Sequence, residues 1–110
     1  MTNIENIDTI AREILNTCGG QTFLHIGSGN GQLVQTLLAN GIDAHGVDES
    51  FEAVATANSL MPGRFMQGNA QKLPYADKSF DTTVILYNFE HIDRELLVQA
   101  IKELKRVTRR

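Results

Sequence analysis

Two rhythms of apolar residues alternate along this chain. Ile4, Ile7, Ile10, Ala11, Ile14 and Leu15 recur at steps of three and four, the stripe of an amphipathic helix. Thr2 and Glu5 have the spacing of a capping box, and Gly19-Gly20 ends the pattern, which predicts a helix of about three to four turns. Residues 22–26 form a short apolar run suited to a central strand, interrupted by glycines at 27, 29 and 31. Leu33, Val34, Leu37 and Leu38 then mark a helix closed by Asn40-Gly41, and residues 42–47 make a second strand ending on Asp48-Glu49. Ser50 is placed to cap a third helix bearing Phe51, Val54, Ala55 and the 58–60 stretch, broken by Met61-Pro62-Gly63. Residues 64–67 are a short strand, 70–79 a loop holding Pro74, and 80–87 the most β-branched and aromatic run in the chain. Asp93 is placed to cap a last helix with Leu96, Leu97, Ala100, Ile101 and Leu104 on its apolar face.

Strand and helix alternate, which predicts an α/β fold: a Rossmann-like three-layer sandwich with helices on both faces of a parallel sheet. Right-handed crossovers and a doubly wound start give about four strands in the order 3-2-1-4, with a ligand above the glycine turn at the switch point. The fourth strand, as apolar as a central one, would then be an exposed edge. That implies either that the chain is part of a longer protein or that self-association through this edge covers it.

Composition narrows the classes. The chain has 110 residues, a formal charge of −3, 42% hydrophobic residues and one cysteine, Cys18. Residues 1–110 suit a single small domain. No apolar run approaches the ~18 residues of a membrane span, and the first residues lack a basic or apolar signal core, so a cytoplasmic protein without membrane contact is expected. A lone cysteine excludes an internal disulfide and a cysteine-cluster metal site, and no metal is expected. The acidic balance gives no electrostatic case for nucleic acid. Lys102, Lys105, Arg106, Arg109 and Arg110 are read as cations offsetting a helix dipole. His45 is read as a half-buried strand residue.

The chemistry lies in the glycine turn. A nicotinamide site takes G-x-G-x-x-G, but here Gln32 stands at the third glycine position and the pattern is Gly27-x-Gly29-x-Gly31. Asp48, at the end of the next strand, is placed to accept the hydroxyls of a ribose.

With these residues in view, the chain resembles the N-terminal, cofactor-binding part of a class I S-adenosylmethionine-dependent methyltransferase, of the small-molecule type related to quinone and menaquinone methylases. Residues 25–31 resemble the family's first motif and 46–50 its second. The run Gly68-Asn69-Ala70-Gln71-Lys72-Leu73-Pro74-Tyr75-Ala76-Asp77-Lys78-Ser79-Phe80-Asp81 resembles a third, and Glu90-His91-Ile92 matches as well. The resemblance runs from about residue 22 to residue 107 and implies a domain truncated relative to the full seven-stranded family fold, whose three further strands help build the acceptor pocket.

Carried over by position, the resemblance implies S-adenosyl-L-methionine as cofactor. Gly27, Ser28, Gly29 and Gly31 would line its methionine portion, with His25 close by. Asp48 would hold the ribose, Glu49 or Ser50 the adenine edge, Asn69 the adenine amine, and Ala70 would supply a backbone N–H to a ring nitrogen. Tyr87 and Asn88 would lie near the sulfonium, and His91 is the candidate catalytic base by position. Two residues depart from the family pattern: His25 stands where an acid is usual, and Asn69 where Asp is common. The segment 87–90 is not the Asn-Pro-Pro-aromatic motif of amino-group methylases, which favours an oxygen or carbon acceptor on a small molecule. Two other readings stay open: a degenerate, non-catalytic domain serving as an assembly module, and a nicotinamide nucleotide-binding domain.

Overall fold

The computed structural model describes residues 9, 12–14, 21–85 and 93–109. Thr2, Glu5, most of the first apolar stripe, Cys18, Tyr87, Asn88 and His91 lie outside them. Residues 9 and 12–14 are helical, and Ile14 is buried against the sheet.

From residue 21 on, strands and helices alternate as β1 (Thr22–Ile26), α1 (Gln32–Ala39), β2 (Asp43–Asp48), α2 (Phe51–Leu60), β3 (Phe65–Gln67), β4 (Thr82–Ile85) and α3 (Arg94–Val107). The four strands are parallel in the order β3-β2-β1-β4. The expected α/β architecture and strand order are therefore present. β1 lies between β2 and β4, with Leu24 opposite His45 on one side and Thr83 on the other. Four of its five residues are buried, which explains why it reads as a continuous apolar run.

Side chains alternate across the sheet and build two cores. On one face Phe23 packs with Leu33, Val34 and Leu37 of α1 and Val54 and Ala57 of α2. On the other, Leu24, Ile26 and Val47 pack with Leu73, Phe80 and, from α3, Ala100 and Val107. This is the three-layer arrangement, with a helix-bearing layer on each face.

The elements begin and end for local reasons. Asn40 ends α1, where its N–H donates to the Leu37 carbonyl, and Gly41 follows at φ 83°. The Ser50 hydroxyl accepts from the Ala53 N–H and caps α2, and the Asp93 carboxylate accepts from the Glu95 N–H and caps α3. Both caps stand where the sequence puts them.

Two helices depart at some positions from the faces expected of them. In α2 the inward residues are Val54 and Ala57, whereas Phe51, Ala55 and Leu60 are exposed. Asn58 turns its carboxamide to the β3 edge, donating to the Phe65 carbonyl and accepting the Phe65 N–H. A polar side chain thereby satisfies an edge strand. In α3 Ala100 is buried as expected and Leu97 and Leu104 are half-buried, but Leu96 and Ile101 are exposed, and Glu103 and Val107 are buried as well. Glu103 is the unexpected member of the buried set. Its carboxylate accepts the Leu73 N–H at 2.7 Å and is held by the Arg106 guanidinium, so an acid occupies the inner face.

Arg106 also donates to the carbonyls of Leu73 and Tyr75 and to Asp77. Arg109 donates to the Lys78 carbonyl and to Asp81. These two cations fasten the 73–81 loop to α3, a more specific role than offsetting a dipole. Asp81 closes the arrangement by accepting from the Gln21 and Thr22 N–H groups and the Thr22 hydroxyl, tying the start of β4 to the start of β1.

Candidate functional site

The carboxyl ends of β1, β2 and β3 open at one edge of the sheet, and the glycine turn spans the first of them. Gly27, Gly29 and Gly31 all have left-handed backbones, with φ of 81°, 56° and 90°. The turn is anchored from below, because the N–H groups of Gly27 and Ser28 both donate to the Val47 carbonyl. The last two glycines serve different ends. A Cβ on Gly31 would lie 2.6 Å from the Phe65 ring, so this glycine is required by packing. A Cβ on Gly29 would meet nothing within 4 Å, so here the backbone faces open space at the mouth of the site.

Asp48 joins the turn to the second strand end. One carboxylate oxygen accepts the Gly29 N–H and the other the Ser50 N–H, each at 2.9 Å. Both oxygens keep a free lone pair, so the group can hold the turn and still accept from a ligand hydroxyl. Beside it, Glu49, Gln67, Gly68 and Asn69 line an open cleft of about 300 Å³. The Asn69 side-chain oxygen accepts the Gln71 N–H and shapes the turn there. Ala70 is buried among Leu73, Phe80 and Val47, its backbone included. Gln67 and Gly68 are cleft residues that the sequence reading missed. The Gln67 side chain donates to the Glu49 carbonyl and ties the cleft walls together. Pro74 stacks so close to Gly68 that a Cβ there would stand 3.0 Å from it. The only available signal was Gly68 heading the third motif.

Beneath the turn lie two polar side chains that find no hydrogen-bond partner among the described residues. His25 is 4% exposed and Ser28 6% exposed, and this holds for both His25 ring nitrogens and the Ser28 hydroxyl. The register places His25 beside Gly46. A Cβ on Gly46 would fall 2.6 Å from the Ser28 hydroxyl and 2.6 Å from the Phe65 ring, so the missing side chain of Gly46 makes the space they fill. Burial lowers the His25 pKa to about 4, with the Asp48 carboxylate acting partly against it. The imidazole is neutral at pH 7. Buried polar groups are normally bonded, so this unpartnered pair beneath the glycine turn is an exception among the described residues. Gly27, Ser28, Gly29, Gly31, Asp48 and His25 thus converge, with Glu49 and Asn69 along the adjoining cleft and Ala70 buried. Tyr87 and His91 lie outside the described residues.

A parallel sheet with a glycine turn over its first strand and an acid at the end of its second defines a nucleoside-cofactor domain of the Rossmann-like class. Residues 24–110 match the methyltransferase domain family, and the chain belongs to that family. It is 32% identical over 91 residues to the demethylmenaquinone methyltransferase of Beutenbergia cavernae, an alignment covering 82% of this chain and 37% of that protein. The demethylmenaquinone methyltransferase of Thermotoga maritima is 28% identical over 102 residues, covering 89% and 43%. The chain therefore spans about two-fifths of the length of these curated relatives. Among solved structures, a protein of Pyrococcus horikoshii superposes with a TM-score of 0.80 at 27% identity, covering 96% of this chain and 51% of that one. An S-adenosylmethionine-dependent methyltransferase from Methanosarcina mazei gives 0.78 at 28% identity, covering 87% and 51%.

Proposed function

We propose that this domain binds S-adenosylmethionine and forms the cofactor-holding part of a methyltransferase acting on a small molecule. The observation that carries the reading is the turn itself: three left-handed glycines closed onto Asp48, above two buried polar groups that lack hydrogen-bond partners among the described residues. Such a cofactor supplies a methyl group on a sulfonium, an already activated leaving group.

The chain's residues contribute binding, alignment and exclusion of water. Gly27 and Gly29 keep side chains out of the ligand's path, and Gly31 lets Phe65 seal the turn from below. The Ser28 hydroxyl and the His25 imidazole offer hydrogen bonds to the methionine end. Asp48 accepts from the ribose hydroxyls. Glu49 and Asn69 border the adenine. Tyr87 is assigned to the neighbourhood of the sulfonium and His91 to proton removal from the acceptor. An oxygen or carbon acceptor is favoured by the segment 87–90. The demethylmenaquinone on which the curated relatives act is the first acceptor to try.

The same reading takes residues 1–110 as one binding unit working in the cytoplasm, without nucleic acid or membrane as partner. The described residues include no helix long and apolar enough to cross a membrane, which supports part of this. β4 stands last in the described strand order, which supports self-association, to be read from sedimentation velocity across a concentration series.

Calorimetry with S-adenosylmethionine, S-adenosylhomocysteine and NAD tests the core of the proposal. Saturable binding of the first two, abolished in Asp48→Ala, is the expected result. Binding of NAD alone, or unchanged affinity in the variant, refutes it.

A further inference from the structure

The cleft beside Asp48 has a wall that is held from a distance. Gly68 and Asn69 line it, and the Gly68 N–H donates to the Asp48 carbonyl. The turn that follows closes on itself: the Lys72 N–H donates to the Asn69 carbonyl and the Gln71 N–H to the Asn69 side-chain oxygen. Pro74 seats this turn, its ring lying 3.0 Å from where a Cβ on Gly68 would stand. One ion pair of α3 grips the chain on both sides of Pro74. The Glu103 carboxylate accepts the Leu73 N–H at 2.7 Å, and the Arg106 guanidinium donates to the Leu73 carbonyl at 3.1 Å and the Tyr75 carbonyl at 2.8 Å. The guanidinium also meets both Glu103 oxygens, at 2.7 and 3.0 Å. A planar fork bound in this way fixes direction as well as distance, and Glu103 is buried, where water dilutes such bonds least. Arg109 holds the same loop too, but beyond Pro74, at Lys78 and Asp81.

We propose that Glu103 and Arg106 are positioning residues for the ligand cleft: by clasping the peptide groups on either side of Pro74 they hold it against Gly68 and set the wall that reads the purine of the cofactor. The inference rests on the cofactor reading above and adds what makes the cleft selective. Neither residue lines the cleft; both act through Pro74. The Gln71 N–H holds the Asn69 side-chain oxygen in place, so the carboxamide presents an acceptor there. That suits the amine of adenine and not the carbonyl oxygen of hypoxanthine. A shift of about 1 Å in this wall is enough to lose the choice, because hydrogen bonds weaken steeply away from their preferred geometry. The coupling is also reciprocal: a clasp that favours the bound ligand is itself favoured by it.

The test is calorimetry of the whole chain with S-adenosylhomocysteine and with its hypoxanthine counterpart, S-inosylhomocysteine. The wild type is expected to favour the adenine ligand by about tenfold or more. Arg106→Lys keeps the charge but not the fork, and should lower that preference to about twofold or less. Arg109→Ala removes an ion pair from the same loop beyond Pro74 and should leave the preference unchanged, which separates positioning from a general loosening of the loop. Should Arg106→Lys not melt cooperatively, NMR of the wild type supplies the second measurement. The Leu73 amide and the Arg106 Nε–H resonances should then shift on saturation with S-adenosylhomocysteine. A wild type that binds the two ligands alike overturns the proposal, as does an unmoved preference in folded Arg106→Lys. An equal fall in Arg109→Ala, or clasp resonances that ignore the ligand, also overturns it. Those results would leave the cofactor reading standing. A wild type that binds neither ligand overturns both.

Discussion

Gly29 and Gly31 share a left-handed backbone, yet substituting them should have different consequences. Gly31→Ala combines a φ of 90° with a Cβ that would strike the Phe65 ring. It should cost stability by more than about 1 kcal/mol in urea unfolding. Gly29→Ala meets no neighbour and should cost only the left-handed penalty of about 1 kcal/mol. Its methyl group would project at the ligand, so calorimetry should show the larger loss of cofactor affinity there. The glycine spacing is plain in the sequence, but the division of labour is not, because Phe65 reaches Gly31 from a strand more than thirty positions away. Asp81 carries a pH prediction. The Gln21 and Thr22 N–H groups, followed by Arg109, hold its carboxyl below the usual range. Its folded-state pKa lies under the unfolded value of about 4, so its contribution is complete above that pH and fades as pH falls further. Thermal melts from pH 6 down to pH 2 should therefore show a shallower acid decline in Asp81→Asn than in the wild type.

At the scale of elements, α3 shows where periodicity misleads. Its apolar stripe puts Leu96, Leu97, Ala100, Ile101 and Leu104 inward; Ala100 is buried and Leu97 and Leu104 half-buried, but Leu96 and Ile101 are exposed while Glu103 and Val107 are buried. The periodic pattern does not register an acid that is stable inside only because Leu73 and Arg106 meet it there. Leu96→Lys should leave stability within about 0.5 kcal/mol, whereas Val107→Ala should cost about 1–3 kcal/mol through the cavity it opens. Glu103→Ala should also cost about 1–3 kcal/mol, because the Leu73 N–H loses its partner and Arg106 its anchor. Differential scanning calorimetry ranks the three. In α2 the caps were legible from Ser50, but the role of Asn58 was not. A carboxamide on the inner face makes sense only once the Phe65 backbone is beside it.

For the molecule as a whole, ligand binding and stability are linked. A ligand that binds only the folded chain, present at a hundred times its Kd, stabilises it by about 2.7 kcal/mol. The melting temperature should rise with added S-adenosylhomocysteine in the wild type and stay put in Asp48→Ala. The sequence by itself determined what depends on neighbours along the chain. The alternation of strand and helix, the parallel sheet and its order follow from apolar periodicity and the handedness of crossovers. The glycine turn, the acid at the end of β2 and the helix caps are short-range signals of the same kind. Tertiary structure alone decided which polar groups became buried and with what partners. Glu103 found Leu73, Asp81 found the start of β1, and Phe65 filled the space left by Gly46 and Gly31. Among the described residues His25 and Ser28 found no hydrogen-bond partner. The physical reason is the cost of burying polar groups, which is set by the atoms packed around them and not by their neighbours in the chain.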